Sequence, residues 1–89
     1  MKWRKGVIAA KKNGEWYLED QSILKHIEKK DAAIVELMEQ GIYENKEIIR
    51  YLVEKNGTDE VAAAFLLAQF MVDYMDYIGV SQEITVIEP

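Results

Sequence analysis

The pattern of apolar and polar residues changes its period near residue 28. Before that point, short runs alternate between the two types, which is the period-two pattern of half-buried β-strands. From residue 29 onward, apolar residues recur at steps of three and four, as on one face of an amphipathic helix. The chain is therefore predicted to form short strands first and helices afterwards.

The first part of the chain predicts three antiparallel strands. Residues 6–12 are the first strand, and Asn13-Gly14 then supplies the dipeptide that most strongly favours a two-residue hairpin turn. Residues 15–19 are the second strand, and a turn over residues 20–22 leads into a third strand at residues 23–27. We expect these runs to form one small antiparallel sheet.

Three helices are predicted to follow. The first covers residues 29–40 and stops at Gly41, and the second begins with Asn45 as its N-cap and ends at Gly57. The third covers residues 58–79 and is the longest, with Thr58 as its N-cap. The residues of the first two helices that we expect to face the core are Ala33, Ile34, Leu37, Met38, Ile48, Ile49, Leu52 and Val53.

The third helix carries more apolar side chain than one buried face needs. One stripe with helical spacing is expected to face the core, and it consists of Val61, Ala64, Phe65, Ala68, Met71, Val72, Met75 and Ile78. A second side begins with Ala62 and Leu66 and is flanked by Ala63 and Phe70. This second apolar side either packs on another element of the fold or binds a partner.

The order of elements defines the expected fold class. Three strands followed by three helices indicate an α+β fold that is winged-helix-like, with a three-stranded antiparallel sheet preceding a three-helix bundle. No repeat or linker divides the chain, so residues 1–89 are expected to form a single domain. Residues 81–89 are expected to form a C-terminal strand or a loose tail.

Composition excludes several classes of function. The 89 residues carry a formal net charge of −5, which opposes binding to a phosphate backbone, and the basic start MKWRK is expected to be merely solvated. The chain has no Cys, so it forms neither a disulfide nor a thiolate metal site. Nothing resembles a secretory signal or a membrane-spanning run, so a cytoplasmic protein with no membrane partner is expected.

Candidate catalytic residues are few. His26 is the single histidine and has no Cys companion, so it supports neither an imidazole metal cluster nor a Cys-His pair. Asp73 and Asp76 are three residues apart, but neighbouring Lys or Arg residues are absent from the sequence around them, and such carboxylates are usually just solvated. Tyr74 and Tyr77 are expected to form a half-buried belt with their hydroxyls in water. We therefore expect a non-enzyme that holds no metal and no cofactor.

The helical part of the chain resembles a known family. Residues 27–57, IEKKDAAIVELMEQGIYENKEIIRYLVEKNG, and the end of the third helix, DYMDYIGV, are similar to the PqqD-like family of precursor-peptide recognition elements. This family includes the stand-alone recognition proteins of lasso-peptide pathways. With the preceding hairpin, the resemblance covers about residues 6–80. The residues that fall at the family's apolar and glycine positions are Ile27, Ala32, Ala33, Ile34, Val35, Leu37, Met38, Gly41, Ile48, Leu52, Met75, Gly79 and Val80.

The resemblance implies a non-catalytic module that captures the leader of a ribosomally synthesised precursor peptide. In this family the leader adds as a further strand to the edge of the third strand and packs against the third helix, so that a modifying enzyme can act on it. The partners implied are the leader peptide and a radical-SAM enzyme, a cyclase or a leader protease. Carried onto this sequence, the peptide-binding residues are Ser22, Ile23, Leu24, Lys25, His26, Ile27, Ala62, Ala63, Leu66 and Phe70.

Three alternatives stay open. Leu66 and Phe70 can instead be core residues beneath the strands or the C-terminal segment. The apolar side of the third helix can form a homodimer that binds no peptide. The order of elements also permits a winged-helix DNA-binding protein, although the third helix has neither Lys nor Arg to enter a major groove.

Overall fold

The computed structural model describes residues 1–79, and its elements follow the predicted order. The strands are β1 (Val7–Lys12), β2 (Glu15–Asp20) and β3 (Ile23–His26). The helices are α1 (Ala32–Glu39), α2 (Asn45–Asn56) and α3 (Glu60–Asp73), with short 3-10 turns at Lys29–Asp31 and Met75–Tyr77. The α+β, winged-helix-like arrangement of a three-stranded sheet followed by three helices is therefore confirmed. The expected strand or tail at residues 81–89 lies outside the described residues.

The sheet is an antiparallel meander in the order β1-β2-β3. Both hairpins have two-residue turns in which both residues adopt positive φ, with 53° and 80° at Asn13 and Gly14 and 51° and 74° at Gln21 and Ser22. This conformation matches the right-handed twist of the strands. The first turn has the residues that favour it, whereas the second places two side chains in the left-handed region, where they are strained.

We expect the double substitution Gln21→Asn, Ser22→Gly to stabilise the protein by about 1 kcal/mol, since Asn and Gly tolerate positive φ at both positions. Chemical denaturation followed by circular dichroism measures this gain. The matched control is Gly14→Ala, which places a side chain at φ 80° and should destabilise the first hairpin. An unchanged or lower unfolding midpoint for the double variant would contradict the assignment of strain to the second turn.

The core lies between the inner face of the sheet and the three helices. Residues directly opposite each other on paired strands share a face of the sheet. Leu18, opposite Ala9, is fully buried, and Val7 and Ile27 are buried on the same face. The fully buried apolar side chains of the helices complete the core, and these are Ile34, Val35, Met38, Ile48, Leu52, Ala63, Leu67 and Phe70.

The helix ends differ from the predictions. The helix α1 begins at Ala32 after a 3-10 turn, and α3 ends at Asp73, six residues before the predicted end at Gly79.

The N-caps of α2 and α3 are each displaced by one residue. Asn45 is the first residue of α2, and the cap position belongs to Glu44. Asp59, and not Thr58, caps α3, since its side chain accepts a hydrogen bond of 2.8 Å from the backbone N–H of Ala62. Gly57 ends α2 with φ 64°, which confirms its predicted role as a left-handed stop.

The predicted core-facing stripe is wrong within α3, although its last member, Ile78, is buried beyond the end of the helix. Val61, Phe65 and Val72 are 75%, 76% and 63% exposed, and the buried stripe instead comprises Ala63, Leu67, Phe70 and Tyr74. Both stripes have helical spacing, and α3 is apolar almost all the way round, so the pattern does not distinguish the buried stripe from the exposed one. The identity of the buried face therefore depends on how the helix packs against the rest of the chain.

The N-terminal residues are part of the fold, and the prediction of a merely solvated terminus is wrong. Trp3 forms an isolated antiparallel bridge with Ile78, and its ring centroid lies 6.2 Å from that of Phe70. Arg4 forms an ion pair of 2.8 Å with Asp20 at the end of β2. The first residues therefore tie the end of the helical bundle to the sheet.

Across residues 1–79, none of the helices has the length and apolar character needed to cross a membrane.

Candidate functional site

The inner face of β3 is open. Ile23 lies opposite Asp20, which lies opposite Val7, so Ile23 and Val7 share the face of the sheet that carries the core. Val7 is 6% exposed, whereas Ile23 is 67% exposed. Lys25 is on the same inner face and is also exposed. The helices thus cover the inner face of β1 and β2 and leave that of β3 uncovered.

The outer edge of β3 offers backbone groups for pairing. The N–H of Ile27 donates to the carbonyl of Trp16 at 3.0 Å, and alternate residues of an antiparallel pair bond in the same direction. Ile23 and Lys25 therefore bond toward β2, and the N–H and C=O groups of Leu24 and His26 point away from it. Within residues 1–79, no strand pairs with this edge. An extended chain laid along β3 would find its partners at Leu24 and His26.

Three of the predicted peptide-binding side chains belong to the core. Phe70 is fully buried, Ala63 is 1% exposed and Ile27 is 2% exposed, so none of them lines an open groove. The backbone N–H of Ile27 also already donates to the carbonyl of Trp16. Ala63 and Phe70 lie seven residues apart on the side of α3 that packs inward, which is why they are covered while Ala62 is exposed.

The remaining predicted residues of α3 lie on a flank of the helix. Ala62 is exposed, and Leu66 is half-buried against the core. The same flank continues through Gln69, whose amide donates to Asp73 at 2.9 Å. Because a helix rises 1.5 Å per residue, Leu66 and Ala62 lie about 10 and 16 Å along the axis from Asp73.

Only the C-terminal end of this flank is tied to β3. The Lys25 ammonium lies 5.9 Å from the centre of the Tyr74 ring, and Lys30, just after β3, approaches Asp73 at 3.7 Å. Along the helix axis, Leu66 is therefore nearer than Ala62 to the end of α3 that contacts β3. We take Ile23 and Lys25 on the strand and Leu66 and Asp73 on the helix as the borders of a candidate groove.

A buried carboxylate is part of a hydrogen-bond network between the end of α3 and the segment that follows β3. Asp31 is fully buried, and its side chain accepts a hydrogen bond of 3.2 Å from the Tyr74 hydroxyl. The same hydroxyl accepts a bond of 3.2 Å from the backbone N–H of Glu28. The prediction that the Tyr74 hydroxyl lies in water is therefore wrong. Burial, together with the nearby negative charge of Asp31, raises the pKa of Tyr74 to about 12.

Lys30 forms ion pairs with the two carboxylates that lie where the end of α3 meets the segment after β3. Its ammonium lies 3.2 Å from Asp31 and 3.7 Å from Asp73. Partial burial opposes the charged form, but the hydrogen bond to Asp31 and the neighbouring negative charges outweigh it and raise the pKa of Lys30. Asp73 thus has a cationic neighbour that its own sequence surroundings lack. The sequence pattern around Asp73 does not predict this contact, because 43 residues separate Lys30 from Asp73.

The single histidine lies outside the candidate groove. His26 pairs with Glu15 across the hairpin, on the outer face of the sheet beside Tyr17. Among residues 1–79, no group of three or more His, Asp and Glu side chains is arranged to hold a metal ion. The side chains that border the candidate groove are Ile23, Lys25, the half-buried Leu66 and Asp73.

Comparison with known proteins identifies no relative: no protein-family model, no curated protein and no solved structure matches this chain.

Proposed function

We propose that the protein is a non-catalytic module that captures an extended peptide, the leader of a ribosomally synthesised precursor, by strand addition to β3. The observation that carries the proposal is the exposure of Ile23 on the core side of the sheet, beside an edge that no strand of residues 1–79 pairs with. An apolar side chain that faces inward but is left uncovered is suited to a guest side chain. The resemblance to precursor-peptide recognition elements supports the same interpretation.

The groove also indicates which peptide it prefers. On a strand that pairs antiparallel to β3, the residues opposite Ile23 and Lys25 point to the same side and are two positions apart. Ile23 favours an apolar partner, and the Lys25 ammonium favours a carboxylate. Read from its N-terminus, the preferred peptide therefore contains an acidic residue followed two positions later by an apolar one.

A nucleic-acid function is not proposed. The exposed face of α3, which a winged-helix protein would place in a major groove, is apolar, and α3 has no Lys or Arg. The apolar side chains of this face offer no charged contact to phosphates and no hydrogen bond to base edges.

The groove is tested with peptides selected from a displayed library of linear sequences, together with leaders encoded by short genes beside this one. We expect Ile23→Asp to weaken capture at least tenfold, because it places a carboxylate against apolar side chains of the peptide. The matched control is Ile8→Asp, since Ile8 is 57% exposed on the other face of the sheet. Equal loss of binding in both variants, or no loss in Ile23→Asp, would contradict the groove.

Backbone pairing has its own test. Leu24→Pro removes an N–H that points outward, which an edge strand tolerates, so the fold should persist while peptide affinity falls about tenfold. Lys25→Pro removes an N–H that bonds to β2 and should disrupt the hairpin instead.

The Lys25→Glu variant tests the side-chain preference of the groove. At the peptide position opposite residue 25, the preferred side chain should change from acidic to basic. An unchanged preference would rule out the proposed register.

A further inference from the structure

A second surface of α3 lies on the side away from its buried stripe. Its members are exposed and recur at alternating steps of four and three residues: Val61, Phe65, Ala68, Val72 and, in the turn after the helix, Met75. We call these five residues the α3 seam. Steps of four and three define the spacing at which one helix packs its side chains into the gaps of another. Among residues 1–79, no element covers this seam.

We propose that the α3 seam pairs with the seam of a second copy of this chain, in an antiparallel two-fold dimer. Charge is the first argument for this occupant. The chain carries a net charge of −5, so two copies repel wherever their acidic surfaces meet. Residues 61–72 contain no charged residue, so two copies can approach along this part of α3 without bringing acidic side chains together.

The seam is also self-complementary. With the two-fold axis at Ala68, the small Ala68 side chains meet at the axis and let the helices approach closely. Phe65 then lies near Val72 of the second copy, and Val61 lies near its Met75. The neighbouring positions outside the seam bring Gln69 against Gln69 and Ala64 against Met71, so like charges do not face each other within residues 61–72. An antiparallel arrangement also aligns the two helix dipoles favourably.

A groove beside the seam enlarges the contact. It lies between α2 and α3 and has a volume of about 620 Å³. Its lining combines apolar side chains with charged ones, and the residues are Ile49, Val61, Ala64, Lys46, Glu47, Arg50 and Glu60. In the antiparallel arrangement, the end of the second copy's α3 passes over this groove, where its exposed Met75 can contact the apolar part of the lining.

The size of the surface sets the expected strength. The 14 residues of α3 span about 21 Å, so two such helices bury less than the roughly 800 Å² per partner of a standard stable interface. We therefore expect a reversible dimer with a dissociation constant in the micromolar range or weaker. This inference does not depend on peptide capture, because the seam and the β3 edge are different surfaces.

Analytical ultracentrifugation over a wide concentration range tests the dimer. The full chain should show a monomer–dimer equilibrium, and Phe65→Glu should raise the dissociation constant at least tenfold while its circular dichroism is unchanged. Ile8→Glu changes an exposed apolar residue of the sheet and should dimerise like the wild type. A wild-type protein that stays monomeric up to millimolar concentration would overturn the proposal. So would equal dissociation of the Phe65→Glu and Ile8→Glu variants.

Cysteine cross-linking tests the orientation, and the natural absence of Cys makes the background clean. Ala68→Cys should form a disulfide-linked dimer on mild oxidation. A mixture of Val61→Cys and Met75→Cys should cross-link, whereas neither variant alone should do so. Cross-linking of Val61→Cys with itself would indicate a parallel pair and overturn the antiparallel arrangement. Failure of Ala68→Cys to cross-link would place the contact elsewhere.

Discussion

The Phe70→Asp variant is expected to be unfolded at 25 °C. Phe70 is fully buried, and its ring centroid lies 6.2 Å from that of Trp3 and 4.9 Å from that of Tyr74. Removing a buried Phe side chain costs about 3–5 kcal/mol, and burying an unpaired carboxylate in its place adds several more. A domain of this size has about 5–10 kcal/mol of stability in total, so the substitution removes most or all of it.

Circular dichroism and chemical denaturation of the variant measure this effect. The matched control is Phe65→Asp, which makes the same chemical change on the same helix at a side chain that is 76% exposed. Phe65→Asp should keep its helix content and unfold cooperatively. A folded Phe70→Asp protein would show that the buried face of α3 is assigned incorrectly, and it would return Phe70 to the list of candidate groove residues.

The Tyr74→Phe variant is expected to lose about 1–3 kcal/mol of stability at pH 7, because the buried carboxylate of Asp31 loses the hydroxyl that donates to it. The backbone N–H of Glu28 loses its acceptor at the same time. Urea denaturation measures the change. Tyr51→Phe is the control, since the Tyr51 side chain is 39% exposed on the surface of α2 and its hydroxyl can bond to water.

The raised pKa of Tyr74 predicts that the protein loses stability in strong base. Its pKa is about 12 in the folded protein and about 10 in the unfolded chain, so the folded state holds the phenolic proton more tightly. The corresponding stabilisation is fully present below pH 10 and is lost as the pH rises from 10 to 12, by up to about 2 kcal/mol. Between pH 9 and 11.5, the free energy of unfolding should therefore fall more steeply for the wild type than for Tyr74→Phe. Parallel profiles for the two proteins would contradict a buried, hydrogen-bonded hydroxyl.

These two predictions concern the residues that hold β3 against the helical bundle. The Tyr74 hydroxyl joins Asp31 to the backbone of Glu28, and Lys30 joins Asp31 to Asp73. Loss of this junction should loosen the contact between β3 and the end of α3. We expect Tyr74→Phe to weaken peptide capture less than Ile23→Asp, because its effect on the groove is indirect.

Local chemistry determined much of the fold. Asn13-Gly14 specifies a two-residue hairpin because both residues tolerate positive φ, and Gly57 ends α2 for the same reason. The change from a period of two to helical spacing near residue 28 separates the sheet from the helices. The same reasoning identified β3, and it located the N-caps of α2 and α3 within one residue. All of these depend on neighbours in the sequence.

The tertiary structure alone decided which face of α3 is buried. Residues 61–72 contain one polar residue, Gln69, so the pattern has no polar face to orient the helix and two apolar stripes fit equally well. The choice was made by contacts with distant parts of the chain, such as Trp3 against Phe70 and Asp31 against Tyr74. These contacts are 67 and 43 residues apart in sequence, and periodicity within one helix carries no information about them. That single choice buries Phe70 in the core, leaves Leu66 half-buried at its border and exposes Phe65.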